Sequence, residues 1–249
     1  TPAGTDALLV RNLTVTPIEA DVVSRDIIRP YLGNYEQLLS QARVTLSFEV
    51  EMAGSGAGAT APRFDSLLRA CGMAATTTAA AVTGTATAGA AGSITLAVGA
   101  SATDNIYNGM VISITSGTGS GSKGIITAYN GTSKVATVQK STAAFTPGAS
   151  SAYSIAANVG YKPVSTAFES ATVYVYVGGD VLHPVTGVRG TFSLSTTVNE
   201  IPTISFELTG IYNSPTTTSS PAVTYTNQAV PQIFKADNTS AFSLLDYSG

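Results

Sequence analysis

Residues 43–52 alternate without a break. Val44, Leu46, Phe48, Val50 and Met52 fall on one side, and Arg43, Thr45, Ser47, Glu49 and Glu51 on the other. A period of two over ten residues belongs to a strand with one face in a core and one in water, and to no helix. The pattern recurs twice. Over 190–198, Phe192, Leu194 and Val198 are assigned inside, and Thr191, Ser193, Ser195 and Thr197 outside. Over 203–210, Ile204, Phe206 and Leu208 are inside, and Thr203, Ser205, Glu207 and Thr209 outside. Asn199-Glu200-Ile201-Pro202 joins these two as an antiparallel hairpin. Further strands are expected at 8–15, 171–177 and 181–188, the last two linked by the tight turn Gly178-Gly179-Asp180.

Composition agrees with an all-β chain carrying one short helix. Only 11% of residues are charged, against about 25% in ordinary domains, so the surface is made polar by hydroxyls. The helix is expected over 63–71, where Phe64, Leu67, Leu68 and Cys71 share one face, Pro62 precedes and Gly72 follows. The segment 53–59, with Gly54, Gly56 and Gly58, reads as a flexible loop. So does the charged stretch 18–34, with Glu19, Asp21, Arg25, Asp26 and Arg29.

Charge divides the chain. Residues 76–160 hold a single acid, Asp104, and three lysines, for a net of +2, whereas the rest carries a net of −5. Short β runs at 93–98, 110–115, 123–129 and 134–138, with an Asn130-Gly131 turn, make 76–160 a small β module inserted in a larger β domain. Small-residue linkers are expected at 76–87 and 156–161. The resulting division is 1–75 with 161–220 as the main domain, 76–160 as the insert and 221–249 as an extended C-terminal arm.

No constellation points to catalysis. Glu49 and Glu51 share a strand face about 7 Å apart, a spacing open to an inverting glycosidase, but they read better as solvated carboxylates. His183 precedes Pro184 in a strand, and no nucleophile elbow accompanies it. Cys71 lies on the apolar helix face, as a core thiol does. Gly117-Thr118-Gly119-Ser120-Gly121-Ser122-Lys123-Gly124 departs from the phosphate-loop pattern and sits between β runs. With one cysteine and one histidine, no cofactor or metal centre is expected. A net charge of −3 argues against tight nucleic-acid binding. No run is apolar enough to cross a membrane, and no secretory leader is expected.

An ordered set of segments carries a resemblance: Phe48-Glu49-Val50-Glu51-Met52, then Ala53-Gly54-Ser55-Gly56, then the stretch from Ala61-Pro62-Arg63 to Ala70-Cys71-Gly72. Later come the stretch from Pro163-Val164-Ser165 to Ala171-Thr172-Val173, then Leu182-His183, Gly187-Val188-Arg189-Gly190 and Gly210-Ile211-Tyr212. Together these resemble the major tail tube proteins of long-tailed bacteriophages with non-contractile tails. The match covers about 1–75 and 161–220, and 109–153 resembles a β insert of varied phage structural proteins. The resemblance implies a β-sandwich or barrel whose inner sheet joins a ring lumen, hexameric rings that stack, and passage of DNA without tight binding. It also implies tape-measure, terminator and distal tail partners, and a place in the virion tail after synthesis in the host bacterial cytoplasm. On that reading Thr45, Ser47, Glu49, Glu51, Ser193, Ser195, Ser205, Glu207 and Thr209 face the lumen. Glu19, Asp21, Arg25, Asp26, Arg29, Gly54, Gly56 and Gly58 make the contact between rings. The alternative is a carbohydrate-binding or adhesive β module, with Tyr107, Tyr129 and Tyr153 offering sugar contacts.

Overall fold

The computed structural model describes residues 2–25, 27–28, 30, 33, 36–140 and 144–235. The fold is all-β apart from one 3-10 turn and one short helix. In chain order the strands are β1 (Arg11–Ser24), β2 (Gln37–Glu51), β3 (Met73–Thr78), β4 (Val82–Thr85), β5 (Ala88–Ala90), β6 (Ser93–Thr95), β7 (Val111–Ser116) and β8 (Lys123–Asn130). They continue as β9 (Val135–Lys140), β10 (Ala152–Ile155), β11 (Asn158–Pro163), β12 (Ala171–Val177), β13 (Val181–Ser195), β14 (Thr203–Tyr212) and β15 (Thr216–Thr217). Helix α1 spans Asp65–Ala70. The chain divides into two compact units. One comprises Thr1–Gly56, Pro62–Ala75 and Tyr161–Phe234, and the other Ala57–Ala61, Thr76–Gly160 and Lys235–Gly249.

The first unit is built on an antiparallel sheet of order β1-β2-β14-β13-β12, with β15 paired to β13. Its core is the inward face of the alternating strands: Val44, Leu46, Phe48 and Val50 from β2, Ile204, Phe206 and Leu208 from β14, and Val185 and Val188 from β13. Phe64, Leu67 and Leu68 of the helical segment complete it. The helix is six residues long, shorter than the alternation of apolar residues implies, because 62–64 form a turn before it. Gly72 ends it with φ +83°, a left-handed conformation that costs glycine nothing. Asp65 accepts the Tyr161 hydroxyl at 2.7 Å and lies 3.6 Å from Arg69 one turn on.

Two expected strands, 181–188 and 190–198, are one. β13 runs through Gly190, where a side chain would collide with the Glu207 carbonyl at 2.0 Å, and a register shift between Thr186 and Arg189 bends it. Leu194 and Val198, assigned inside, are 59% and 64% exposed. Leu194 does lie in register with buried Ile204, and Ile204 with buried Val50. It therefore sits on the core-facing side, at an end of the sheet where its own surface stays open.

The largest departure is β1. A strand of eight residues was expected and 18–34 was read as a loop. Instead β1 has 14 residues and pairs with β2 as far as Ser24↔Gln37. Three register shifts interrupt this hairpin, between Arg11 and Thr14, Thr16 and Glu19, and Glu19 and Asp21. The first two insert a residue in β1 and break the alternation by which it would be read, and the third inserts one in β2. Pro17 lies at one of these shifts on the sheet's edge strand, where its missing N–H is tolerated.

The second unit is a sheet of order β4-β10-β7-β8-β9-β6-β5. The edge strands β4 and β5 are separated by only Ala86 and Thr87. Ala86 N–H bonds Ser151 O at 2.8 Å on one side, and Thr87 N–H bonds Thr95 O at 3.1 Å on the other. One kinked stretch thus closes both edges, and the sheet curls around Ile94, Leu96, Ile112, Ile114, Ile126, Val138, Phe145, Tyr153 and Ile155. The segments 76–87 and 156–161, expected to be plain linkers, contain strands, and β3 pairs with β11 in a two-stranded ladder.

Residues 218–234 run as a strap over the first unit. Successive backbone bonds tie Thr218 to Asp180, Ser220 to Gly179, Thr224 to Gly4, Asn227 to Arg63, Ala229 to Gly54, and Phe234 to Asn199 and Glu200.

Candidate functional site

Register brings the polar positions of the first unit onto one face. Directly opposed residues in antiparallel strands share a side of the sheet. One row reads Arg189–Thr209–Thr45–Thr16, the next Thr191–Glu207–Ser47–Thr14, the next Ser193–Ser205–Glu49–Arg11, and the last Ser195–Thr203–Glu51. Thr45, Ser47, Glu49, Glu51, Ser193, Ser195, Ser205, Glu207 and Thr209 therefore form one continuous surface. Ser47, Ser193, Ser195, Glu207 and Thr209 are exposed, and Thr45, Glu49, Glu51 and Ser205 half-exposed.

The face is less free of cations than the strand sequences imply. Arg11, from the edge strand, pairs with Glu49 at 2.9 Å. Its guanidinium, followed by a hydrogen bond from Asn12, holds the Glu49 carboxyl below its ordinary value of 4.5. A carboxylate so held is a poor general acid, which needs its proton near neutral pH. Arg189, in the row of Thr209, donates to the backbone carbonyls of Phe168 and Glu169. Arg43, on the same face one row beyond Thr45, pairs with Glu19 and Asp21, so all three arginines are engaged within the chain. Among the described residues, Glu51 and Glu207 have no ion-pair partner.

The expected ring-contact residues do not lie together. Glu19 and Asp21 belong to β1, where Arg43 reaches Glu19 at 3.2 Å and Asp21 at 3.8 Å. Arg25 follows β1 and pairs with Glu36 at 2.9 Å. These charges brace the hairpin from within. Asp26 and Arg29 lie outside the described residues. Gly54 and Gly56 follow the opposite end of β2, and the Gly54 carbonyl accepts the Ala229 N–H at 2.8 Å, so the strap ties down a loop expected to be flexible. Gly58 belongs to the second unit, where a side chain would meet the Ala157 carbonyl at 2.7 Å.

The sequence reading missed what the distal hairpin carries. Val22 opposes Leu39, and Val23 opposes Leu38. Neighbouring residues of a strand point to opposite sides, so both faces of this two-stranded ribbon are apolar. All four residues are exposed, Leu39 by 74%. The β-branched pair Val22-Val23 and the run Leu38-Leu39 were the available signals.

The remaining candidates are structural. Tyr107, Tyr129 and Tyr153 are buried, Tyr129 to 2% exposure. Tyr107 and Tyr129 meet edge to face at 4.8 Å between ring centroids. Their hydroxyls serve the backbone: Tyr129 donates to Ser101 O, while Tyr107 and Tyr153 accept from Ser101 N–H and Ala97 N–H. Burial pushes the Tyr129 hydroxyl up to about 12. They offer a sugar no platform. The glycine run 117–122 is the β7–β8 turn, with Gly117, Gly119 and Gly121 at positive φ. The amides of Ser120, Gly121 and Ser122 bond within the turn or to Ile114, leaving them no phosphate to cradle. Cys71 is half-buried against the core, and burial raises its thiol to about 11, far from a reactive thiolate. His183 is half-buried opposite Val175. Among the described residues no group of three His, Cys, Asp or Glu could hold a metal ion, and no helix is long and apolar enough to cross a membrane.

No family model matches the chain, and no curated protein matches it either.

Proposed function

We propose that the chain is the repeating subunit of a bacteriophage tail tube, in which hexameric rings stack and DNA passes through the lumen. The observation that carries this reading is the polar sheet face, where four hydrogen-bonded strands align Ser, Thr and Glu in cross-strand rows. A channel for a polyanion must avoid phosphate anchors. Hydroxyls with scattered carboxylates do so, and the three arginines of the face are already occupied, Arg11 by Glu49, Arg43 by Glu19 and Asp21, and Arg189 by backbone carbonyls. A second support is the hairpin, whose exposed apolar ribbon is what an assembling subunit presents and a monomer does not need. On this reading the subunit also meets tape-measure, terminator and distal tail proteins, and resides in the virion tail after synthesis in the host bacterial cytoplasm.

The test is direct. The purified protein, concentrated and viewed by negative-stain electron microscopy, should form tubes of uniform diameter or ring-shaped oligomers. A strictly monomeric protein at high concentration overturns the reading. The rival reading of a sugar-binding module draws no support from the buried tyrosines, and glycan-array binding by the whole chain would revive it.

A further inference from the structure

The turn between β8 and β9 is labile in its chemistry and fixed in its structure. The sequence holds two Asn-Gly pairs, Asn108-Gly109 and Asn130-Gly131. Asn is among the thermolabile residues, and a following glycine, which has no Cβ, leaves its backbone nitrogen least hindered. That nitrogen can attack the side-chain carbonyl carbon of the Asn. A C–N bond forms, the side-chain amide leaves as ammonia with the proton that the nitrogen gives up, and a succinimide ring remains. Water then opens the ring to Asp or isoaspartate. The fold is committed to this pair at 130–131. A Cβ on Gly131 would lie 2.2 Å from the Ala102 carbonyl oxygen, so a side chain there would force two backbone segments apart. Asn130 Oδ1 accepts the Thr132 and Ser133 N–H groups at 3.0 and 2.8 Å, which holds the turn together.

Those two donors also polarise the carbonyl that would be attacked, as the donors of an oxyanion hole do. Asn130 is exposed to water as well. Restraint therefore falls to the nucleophile. The Gly131 N–H donates to Asp104 Oδ1 at 2.7 Å, and Gly131 is buried. Asp104 is the single acid of residues 76–160. Its loop is pinned beside the turn. The Asn105 N–H donates to Tyr129 O at 2.8 Å, and Asn105 Oδ1 accepts the Tyr129 N–H at 3.1 Å. Lys134 Nζ bridges Ser101 O and Gly131 O at 3.1 and 2.7 Å. We propose that Asn130 is a site of self-modification and that Asp104 holds it in check. To attack, the Gly131 nitrogen must leave a charged acceptor. It must also shed its proton beside a carboxylate, where the resulting anion is repelled. The second pair is held differently. The Gly109 N–H donates to the neutral carbonyl of Ile126 at 2.7 Å, with no part for Asp104. None of this depends on how copies of the chain assemble.

The experiment follows deamidation of the full chain at neutral pH and raised temperature in the parent, in Asp104→Asn and in Asp104→Ala. Trypsin cuts after Arg69, Lys123 and Lys134, so mass spectrometry reads Asn108 and Asn130 on separate peptides. An isoaspartyl methyltransferase assay identifies the product. In Asp104→Ala, Asn130 should react on the order of tenfold faster than in the parent, as the loss of a hydrogen bond to a charged acceptor implies, while Asn108 keeps the parent's rate. Asp104→Asn, which retains an acceptor oxygen without the charge, should fall between the two. Equal rates at Asn130 in all three proteins overturn the proposal. So does a rate in either variant below the parent's, which would make the carboxylate a base that draws the proton off. Faster reaction at Asn108 and Asn130 together would report a unit loosened as a whole, and overturns it too.

Discussion

The two units solve the edge problem of a β-sheet in opposite ways. In the second, β4 and β5 are joined through Ala86 and Thr87, so the edges are covered by a single kinked stretch, and Tyr107, Tyr129 and Tyr153 are spent on the interior. In the first, β1 and β12 remain the edges of the sheet. The hairpin built on β1 extends beyond the core with leucines and valines in water. Exposed edges and apolar ribbons are liabilities unless something covers them. The second unit joins its edge strands within itself, whereas the first leaves an edge strand and an apolar ribbon in water.

The strongest way to break this comparison is Phe206→Ala. Phe206 is fully buried and packs beside Phe48 and Phe192, so its loss should cost about 3–5 kcal/mol. If the units melt independently, calorimetry of this variant should lower one transition and leave the other in place. A single merged transition that shifts as a whole would tie the two units together.

A smaller effect belongs to the second unit. Tyr129→Phe removes one of two donors on the Ser101 carbonyl, which keeps Lys134 Nζ at 3.1 Å, and should cost about 0.5–1.5 kcal/mol, with the shift confined to the other transition. The pH response has a defined sign. The Tyr129 hydroxyl ionises near 10 when unfolded and is raised to about 12 when folded. Its contribution is therefore intact below pH 10 and is lost as pH rises toward 12. Thermal melts from pH 8 to 12 should show the second unit weakening in that window, and a flat profile there would remove the hydroxyl's burial from the account.

Leu39→Asp sharpens the comparison from the side of the first unit. Leu39 touches little in one copy, so the melting temperature should move by no more than about 0.5 kcal/mol equivalent. Analytical ultracentrifugation should nevertheless show assembly abolished. The triple change Glu49→Lys, Glu51→Lys and Glu207→Lys is read by binding. It removes one exposed ion pair worth at most about 1 kcal/mol, and should leave a folded subunit that binds DNA in a salt-dependent way where the parent does not. Absence of DNA binding by assembled triple variant would count against a lumen on this face.

Much of this architecture was legible where side-chain alternation was unbroken. β2 and β14 declare their faces residue by residue, and Gly178-Gly179-Asp180 marks its hairpin. Alternation reports a side of the sheet, not its cover, so Leu194 was assigned correctly to the core-facing side and wrongly to the interior. The distal part of β1 was hidden by the two bulges it carries, each of which reverses the parity of the pattern, and the third irregularity lies on β2. β3, β4 and β10 are short and carry Ala, Thr, Ser and Gly at half or more of their positions, which leaves little apolar contrast to read. The polar face was legible strand by strand. The neighbours that decide its electrostatics were not, because Arg11 meets Glu49 only through a register that no single strand encodes.

The strap has a consequence for the order in which the molecule is made. The Thr224–Gly4 bond joins positions 220 residues apart in the sequence, so the first unit cannot close until its far segment has left the ribosome. Strands β4 to β10 are all synthesised by residue 155. At about 5–20 residues per second, the roughly 75 residues that follow take about 4–15 s. During that interval the strands of the inserted unit's seven-stranded sheet are all in place, while the unit that hosts it still waits for β12 to β15 and the strap. The hairpin is made early, and the strap that pins Asn199 and Glu200 comes last.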